Sequence, residues 1–122
     1  MKKILLNTDV ILDFLFGRKP FSDHSAVVFS LCEKKKLIGF TTPVSYCNSY
    51  YILRQTATHR KVIEKLTQLF SFTNISTMDK DVVHNALHSG FKDFEDALQY
   101  YSAVKKGKID LILTRNVKDF KK

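Results

Sequence analysis

The sequence predicts an α/β fold with a mostly parallel central sheet of four or five short strands. Short apolar runs recur along the chain, and stretches with apolar residues at helical spacing separate them. Strands that alternate with helices in this way pair in parallel. The chain has 122 residues, the size of one domain with a core of its own, so a single domain over residues 1–122 is expected.

The first strand is expected at residues 4–6, an apolar run that starts almost at the N-terminus. Apolar residues at helical spacing resume at Val10 and continue to Phe16, and Gly17 and Pro20 end that helix. The chain therefore opens with one buried strand and one helix, separated by the polar residues that follow the strand.

Ser22 or Asp23 can cap a second helix, which ends in a lysine run at 34–36 that complements the helix dipole. A second strand is expected at 37–41, and Pro43 opens a third helix that continues through residue 53. This part of the chain repeats the strand–helix alternation of the first.

Thr58 is expected to cap a fourth helix, and Asp79 a fifth helix that Gly90 ends. A sixth helix is expected at 94–106, with Asp93 at its N-cap. Its packed stripe is predicted to consist of Phe94, Ala97, Leu98, Tyr101 and Val104. The remaining elements are a third strand at 72–76, a fourth strand at 110–114 and a final turn at 117–120.

The charge of the chain favours an anionic partner. Lys and Arg number 20 against 12 Asp and Glu, a formal net charge of +8, and nucleic acid is the first candidate. No apolar run approaches the ~20 residues of a membrane-spanning helix, and no signal peptide is evident. Cys32 and Cys47 are far apart and lack partner histidines, which predicts reduced thiols in a cytoplasmic protein and excludes a zinc site.

Polar residues follow three of the predicted strands, at the sheet edge where sites form in this fold class. They are Asn7, Thr8 and Asp9 after the first strand, Thr41 and Thr42 after the second, and Thr114, Arg115 and Asn116 after the fourth. Asp93 and Asp96, at the start of the sixth helix, are neighbours on its surface. Two adjacent carboxylates suit a hard cation such as Mg²⁺, or else an N-cap beside a solvated first turn.

With these residues in view, the chain resembles the PIN-domain family of metal-dependent ribonucleases, which includes the VapC toxins. The segment from Leu5 to Asp13 is similar to the family's opening Leu-Asp-Thr-Asn-Val-Leu-Leu-Asp motif. Asp96-Ala97-Leu98, followed by Ser102-Ala103, is similar to its central Asp-Ala helix, and the segment 114–120 to its closing motif. The three motifs occur in order, each at the junction of a strand and a helix.

The resemblance implies a three-layer α/β/α fold and acidic residues that bind Mg²⁺ or Mn²⁺ and activate water to cleave single-stranded RNA. It also implies an antitoxin protein as partner and a homodimer. The implied catalytic residues are Asp96, Asp9, Asp93 and Asp119. The implied metal ligands are Asp96, Asp9, Asn7 and Asn116, and the implied substrate contacts are Thr8, Asn48, Thr114 and Arg115.

The sequence departs from the family pattern at two acidic positions. Asn7 stands where the family has its first metal-binding Asp, and Asp9 stands where the family has Asn. If the strand continued to Asp9, the two side chains would lie ~6–7 Å apart on one face; Asp9 could instead cap the first helix. The acid often found in the helix after the second strand is replaced by Asn48. The family's last short strand is also expected to be missing after Lys122, in a shorter sheet or a trimmed chain.

Two functions of different classes are therefore open. The first is a Mg²⁺- or Mn²⁺-dependent endoribonuclease, which the Asp93/Asp96 pair and the closing motif favour. The second is a PIN-fold module that binds RNA or a protein partner without cleavage, which Asn7 and Asn48 favour. The positive charge fits both, because binding an RNA backbone needs cations rather than acids.

Overall fold

The computed structural model describes residues 2–17, 21–106 and 109–114. The strands and helices of this part alternate as the sequence predicts. In chain order they are β1 (Lys3–Leu6), α1 (Thr8–Phe16), α2 (Phe21–Glu33), β2 (Ile38–Thr41), α3 (Pro43–Leu53), α4 (His59–Ser71), β3 (Asn74–Ile75), α5 (Lys80–Leu87), α6 (Phe94–Lys106) and β4 (Leu111–Leu113). No helix among these residues is long and apolar enough to cross a membrane.

The four strands form one sheet in the order β3-β2-β1-β4, and every neighbouring pair is parallel. In the centre of the sheet, Leu5 pairs with Phe40 of β2 on one side and with Ile112 of β4 on the other. Because all strands run in one direction, their carboxyl ends meet at one edge. The predicted α/β class with a parallel sheet is confirmed.

Helices cover both faces of the sheet. On one face, Ile4 and Leu6 of β1 pack with α1 and α2, in a cluster that includes Val10 and Phe29. On the other face, Leu5 packs with Phe40 and with residues of α6. Successive strand residues point to opposite faces, so a continuous apolar run is what a sheet buried on both sides requires. The three-layer α/β/α arrangement expected from the resemblance is thereby confirmed.

The first helix begins two residues before its predicted start at Val10. Asn7 has the extended backbone of an N-cap residue, with φ −71° and ψ 158°, and its carbonyl accepts hydrogen bonds from the N–H groups of Val10 and Ile11. Helix α1 thus starts at Thr8. Asp9 lies inside its first turn, so it neither continues the strand nor caps the helix.

Most of the predicted caps are present. The side chain of Thr58 accepts from the N–H of Lys61 at 3.3 Å, and that of Asp79 accepts from Val82 at 3.1 Å. Helix α2, however, begins at Phe21, so neither Ser22 nor Asp23 stands at its N-cap position.

Several elements are shorter than expected. Strand β3 covers Asn74–Ile75 rather than 72–76, because α4 continues to Ser71 and the hydroxyl of Thr73 donates to the carbonyl of Leu69 at 2.7 Å. Strand β4 covers Leu111–Leu113 rather than 110–114, and α5 ends at Leu87, before Gly90. The turn predicted at 117–120 and the end of the sheet after Lys122 lie outside the described residues.

Helix α6 buries the middle of its predicted apolar stripe, where Tyr101 packs against Ala97 and Leu98, but not the two ends of the stripe. Phe94 is 49% exposed and Val104 is 53% exposed, so neither belongs to a packed stripe. Besides Ala97 and Leu98, the buried positions include polar residues. They are Asp96, Gln99 and Ser102. These side chains are buried because neighbouring polar groups are available to them, and apolar periodicity carries no information about such partners.

Candidate functional site

The candidate site lies at the carboxyl edge of the sheet, where the ends of three strands bring distant segments together. Asn7 follows β1, and its N–H donates to the carbonyl of Leu113 in β4 at 3.1 Å. Helix α3 starts directly after β2, with Thr42 as its N-cap. The first turn of α6 also reaches this edge of the sheet, because Glu95 forms hydrogen bonds with Thr8 and Asn48.

One chain of hydrogen bonds joins Asn7 to Asp9. The amide Nδ2 of Asn7 donates to Oγ1 of Thr114 at 3.3 Å, and Thr114 donates to Oδ2 of Asp9 at 3.0 Å. Asn7 is 5% exposed, and its Oδ1 meets no hydrogen-bond donor in the described part of the chain. Asn7 and Asp9, which stand in exchanged positions relative to the family pattern, therefore both form a hydrogen bond with the hydroxyl of Thr114.

A second chain joins three helices through Thr8. Its Oγ1 lies 2.8 Å from Oγ of Ser45 in α3 and 2.5 Å from Oε2 of Glu95 in α6. Ser45 also accepts from Nε2 of Gln99 at 2.7 Å. Thr8 was predicted as a substrate contact, whereas Ser45 and Gln99 had no predicted role at the site.

Asn48 and Glu95 complete this second chain. The amide Nδ2 of Asn48 donates to Oε1 of Glu95 at 2.8 Å, which brings α3 against α6. The sequence reasoning missed Glu95 and counted only aspartates in the acidic set. One sequence signal was present, namely a third carboxylate in the first turn of α6 beside Asp93 and Asp96. Nothing in the periodicity indicated which of the three faces inward.

Asp93 and Asp96 have different surroundings. Asp93 caps α6, since its Oδ1 accepts from the backbone N–H of Asp96 at 2.9 Å, and it is exposed. Asp96 is 8% exposed, next to Ala97 and Leu98 of the core. The side chain of Asp96 is therefore buried and does not lie in bulk solvent.

Three predicted site residues, Arg115, Asn116 and Asp119, lie outside the described residues. Within the described part, no three His, Cys, Asp or Glu side chains form a group that could hold a metal ion. The carboxylates of Asp9, Glu95 and Asp96 still suit a hard cation, because Mg²⁺ typically takes one or two carboxylate ligands and completes its coordination shell with water and phosphate. Oδ1 of Asn7 and Oε1 of Gln99 are buried acceptors without a donor among the described residues, so neutral oxygens are also available.

Comparison with known proteins identifies the family of this chain. A family model of the PIN domain matches residues 3–118. In sequence, no curated protein matches this chain significantly.

Among solved structures, the fold is similar to VapC20 of Mycobacterium tuberculosis, described as a sarcin–ricin loop cleaving toxin. The TM-score is 0.73 at 15% identity, over 93% of this chain and 91% of that one. It is also similar to VapBC2 of Rickettsia felis bound to a promoter DNA fragment, with a TM-score of 0.68 at 12% identity, over 95% of this chain and 89% of that one. At such identities the likeness concerns the fold. By the match over residues 3–118, the chain belongs to the PIN-domain family.

Proposed function

We propose that this protein is a PIN/VapC-type endoribonuclease that uses Mg²⁺ or Mn²⁺ to cleave single-stranded RNA. The observation that carries the proposal is a pair of hydrogen-bond chains that start from the consecutive residues Asn7, Thr8 and Asp9 at the carboxyl edge of the sheet. One ends on the carboxylate of Asp9, the other on that of Glu95. Asp96 is buried beside Glu95 in the same turn of α6.

Each group has a part in this proposal. Asp96 and Asp9 are the leading metal ligands, and Asn7 offers a neutral oxygen. A Mg²⁺ or Mn²⁺ held there would lower the pKa of a water molecule and neutralise charge on the phosphodiester. Thr114 orients Asp9 through its hydroxyl hydrogen bond. Asp93 is assigned to capping.

The remaining roles are those that the resemblance implies. Asn116 and Asp119 complete the proposed metal set, and Arg115 is the proposed phosphate contact. The net charge of +8 supports binding of an RNA backbone by the surrounding lysines and arginines.

The alternative function is a PIN-fold module that binds RNA or protein without cleavage. Two observations favour it: the amides Asn7 and Asn48 at family acidic positions, and the lack of a three-residue metal cluster within the described residues. Under this alternative the polar network at the sheet edge serves stability alone.

The two functions are separated by metal titration combined with an RNA cleavage assay. Mn²⁺ binding is measured by calorimetry. Cleavage is measured on a labelled single-stranded RNA and on an RNA hairpin carrying the sarcin–ricin loop, with and without chelator. If the protein is a nuclease, both the chelator and Asp96→Asn should abolish cleavage. Glu64→Gln is the control, because it removes one negative charge from an exposed part of α4 and should leave cleavage unchanged. RNA binding without cleavage, unchanged by chelator, identifies the module.

We further propose an antitoxin protein partner, a homodimer and a cytoplasmic location. The similarity in fold to VapBC2 supports the proposal of a protein partner. Both cysteines are free, which fits a reducing compartment. Light scattering of the purified chain tests the dimer, and recovery of a bound protein encoded beside this gene, identified by mass spectrometry, tests the antitoxin.

A further inference from the structure

The carboxylate of Glu95 is held by two helices other than its own. Oε2 accepts from the hydroxyl of Thr8 in α1, and Oε1 accepts from the amide of Asn48 in α3. Because a carboxylate only accepts hydrogen bonds here, the amide nitrogen of Asn48 and the hydroxyl hydrogen of Thr8 must both point at it. The side chain is thus fixed at both oxygens.

The donor chain behind Thr8 runs in one direction. Since the single hydrogen of Thr8 is used on Glu95, Ser45 must donate to Thr8, and Gln99 donates to Ser45. Ser45 and Gln99 are 0% exposed. A buried series of three donors is therefore aligned toward one carboxylate, an arrangement in which each bond strengthens the next.

The charge of Glu95 has no cationic side chain beside it in the part of the chain that is described. None of the ion pairs there includes Glu95, although the protein carries an excess of lysine and arginine. A half-buried carboxylate next to Asp96 in sequence is costly without a counter-charge. The N-terminal ends of α1 and α6 contribute partial positive charge, but a divalent cation would offset far more of the cost.

We propose that Glu95 is a cation-binding carboxylate of this site and that Asn48 is the residue that positions it. The inference rests on the proposed function, because the cation is the Mg²⁺ or Mn²⁺ of the nuclease. The family often has an acid in the helix after β2, where this protein has Asn48 in α3. Glu95 of α6, which accepts the hydrogen bond of Asn48, supplies a negative charge at the same place from the neighbouring helix.

The test measures Mn²⁺ binding directly, from the loss of the free Mn²⁺ signal in electron paramagnetic resonance, alongside RNA cleavage. Glu95→Gln preserves size and removes the charge; Glu64→Gln is the matched control. We expect Glu95→Gln to weaken Mn²⁺ binding at least tenfold and to reduce cleavage in parallel, and Glu64→Gln to change neither.

The exchange variant Asn48→Asp with Glu95→Gln is isosteric at both positions. It keeps the hydrogen bond with its direction reversed and moves the charge across a contact of 2.8 Å. We expect it to regain most of the Mn²⁺ affinity that Glu95→Gln loses. Asn48→Asp alone places two carboxylates in contact, so it should bind Mn²⁺ at least threefold more tightly and be stabilised by Mn²⁺ in a thermal melt more than the wild type.

The possible results distinguish a failure of the inference about Glu95 from a failure of the proposed nuclease function. If the wild type binds no Mn²⁺, the proposed function and this inference fall together. If the wild type binds Mn²⁺ and Glu95→Gln binds it equally well, only the inference is overturned, and Glu95 is a structural clamp. Should Glu95→Gln not fold, Glu95→Asp decides, because it keeps the charge but is one methylene shorter: weaker Mn²⁺ binding supports the role of Glu95, and unchanged binding refutes it.

Discussion

Asn48 and Glu95 are joined by a hydrogen bond of 2.8 Å from the amide of one to the carboxylate of the other, although they lie 47 residues apart in the chain. The bond ties α3 to α6 at the edge where β1, β2 and β4 end. Through Thr8, the same carboxylate is tied to α1. The side chain of Glu95 thus links the first turns of α1 and α6 to α3. The candidate site therefore depends on the packing of three helices and not on any single sequence motif.

Thr58 provides a test of local stability at a distance from the site. Its hydroxyl caps α4 by accepting from the N–H of Lys61, and Thr58→Ala should lower the free energy of unfolding by about 1 kcal/mol. Urea denaturation measures this loss. Thr58→Asp is the control, because it retains a cap oxygen and adds a negative charge at the positive end of the helix dipole. Equal loss in both variants would show that the cap contributes nothing.

Gly39 of β2 packs against Cys32 of α2. A Cβ at this position would come within 2.8 Å of Sγ of Cys32 and 3.3 Å of Cδ1 of Leu6. Cys32 and Leu6 are both buried, so neither can move away freely, and Gly39→Ala should destabilise the protein by roughly 1–3 kcal/mol.

A double-mutant cycle identifies the cause of that loss. Cys32→Ala removes the sulfur that the new methyl would meet, so the pair Gly39→Ala and Cys32→Ala should cost less than the sum of the single variants. Strict additivity in urea unfolding would instead attribute the loss to the contact of the new methyl with Leu6.

Ser76 and Ser102 make an asymmetric buried pair. Ser102 donates to the carbonyl of Thr77 at 2.7 Å, so the contact of 2.7 Å between the two hydroxyls must be donated by Ser76. Ser102→Ala therefore breaks both bonds and should cost about 1–3 kcal/mol. Ser76→Ala removes one donor and leaves the bond to Thr77 intact, so it should cost less. Guanidinium unfolding of the two variants gives the comparison, and the reverse order would contradict the assigned directions.

Asp79 and Lys105 predict a dependence of stability on pH. The hydrogen bond from Lys105, together with that from the N–H of Val82, lowers the pKa of Asp79 below its ordinary value of 3.8. A carboxyl whose pKa is lower in the folded state stabilises the protein above 3.8, and this contribution is lost as the pH falls through the folded value. The hydrogen bonds that Lys105 donates to Asp79 and Asp81 raise the pKa of Lys105 above 10.5. Its contribution to stability is therefore complete below that value and is lost as the pH rises through the folded pKa.

Melting temperatures between about pH 2 and about pH 6 test the acidic part of this expectation. Lys105→Gln should flatten the fall in stability below pH 4, since the pKa of Asp79 then returns toward its ordinary value. Asp79→Asn keeps a capping side chain but cannot titrate, so it serves as the control and should show the same flattening. An unchanged acid profile in both variants would remove this pair as a source of the pH dependence.

Much of the secondary structure could be predicted from local pattern. The alternation of apolar runs and amphipathic stretches, with Thr58 and Asp79 as caps, identified four strands and six helices within a few residues. The predicted ends of helices and strands were wrong where the backbone conformation of one residue, and not the apolar pattern, decided where the element starts. Asn7 adopts the N-cap conformation and so brings Asp9 into a helix that was expected to start at Val10.

The amino-acid sequence by itself determined the parallel α/β class and the family, and it predicted the region of the candidate site, because periodicity and motif order are properties of the chain alone. Only the tertiary structure decided which acids face inward: Glu95 turns toward Thr8 and Asn48, and Asp93 is used as a cap. The physical reason is that a polar side chain is buried where donors from other helices can reach it. Those donors come from residues tens of positions away, which no local spacing reveals.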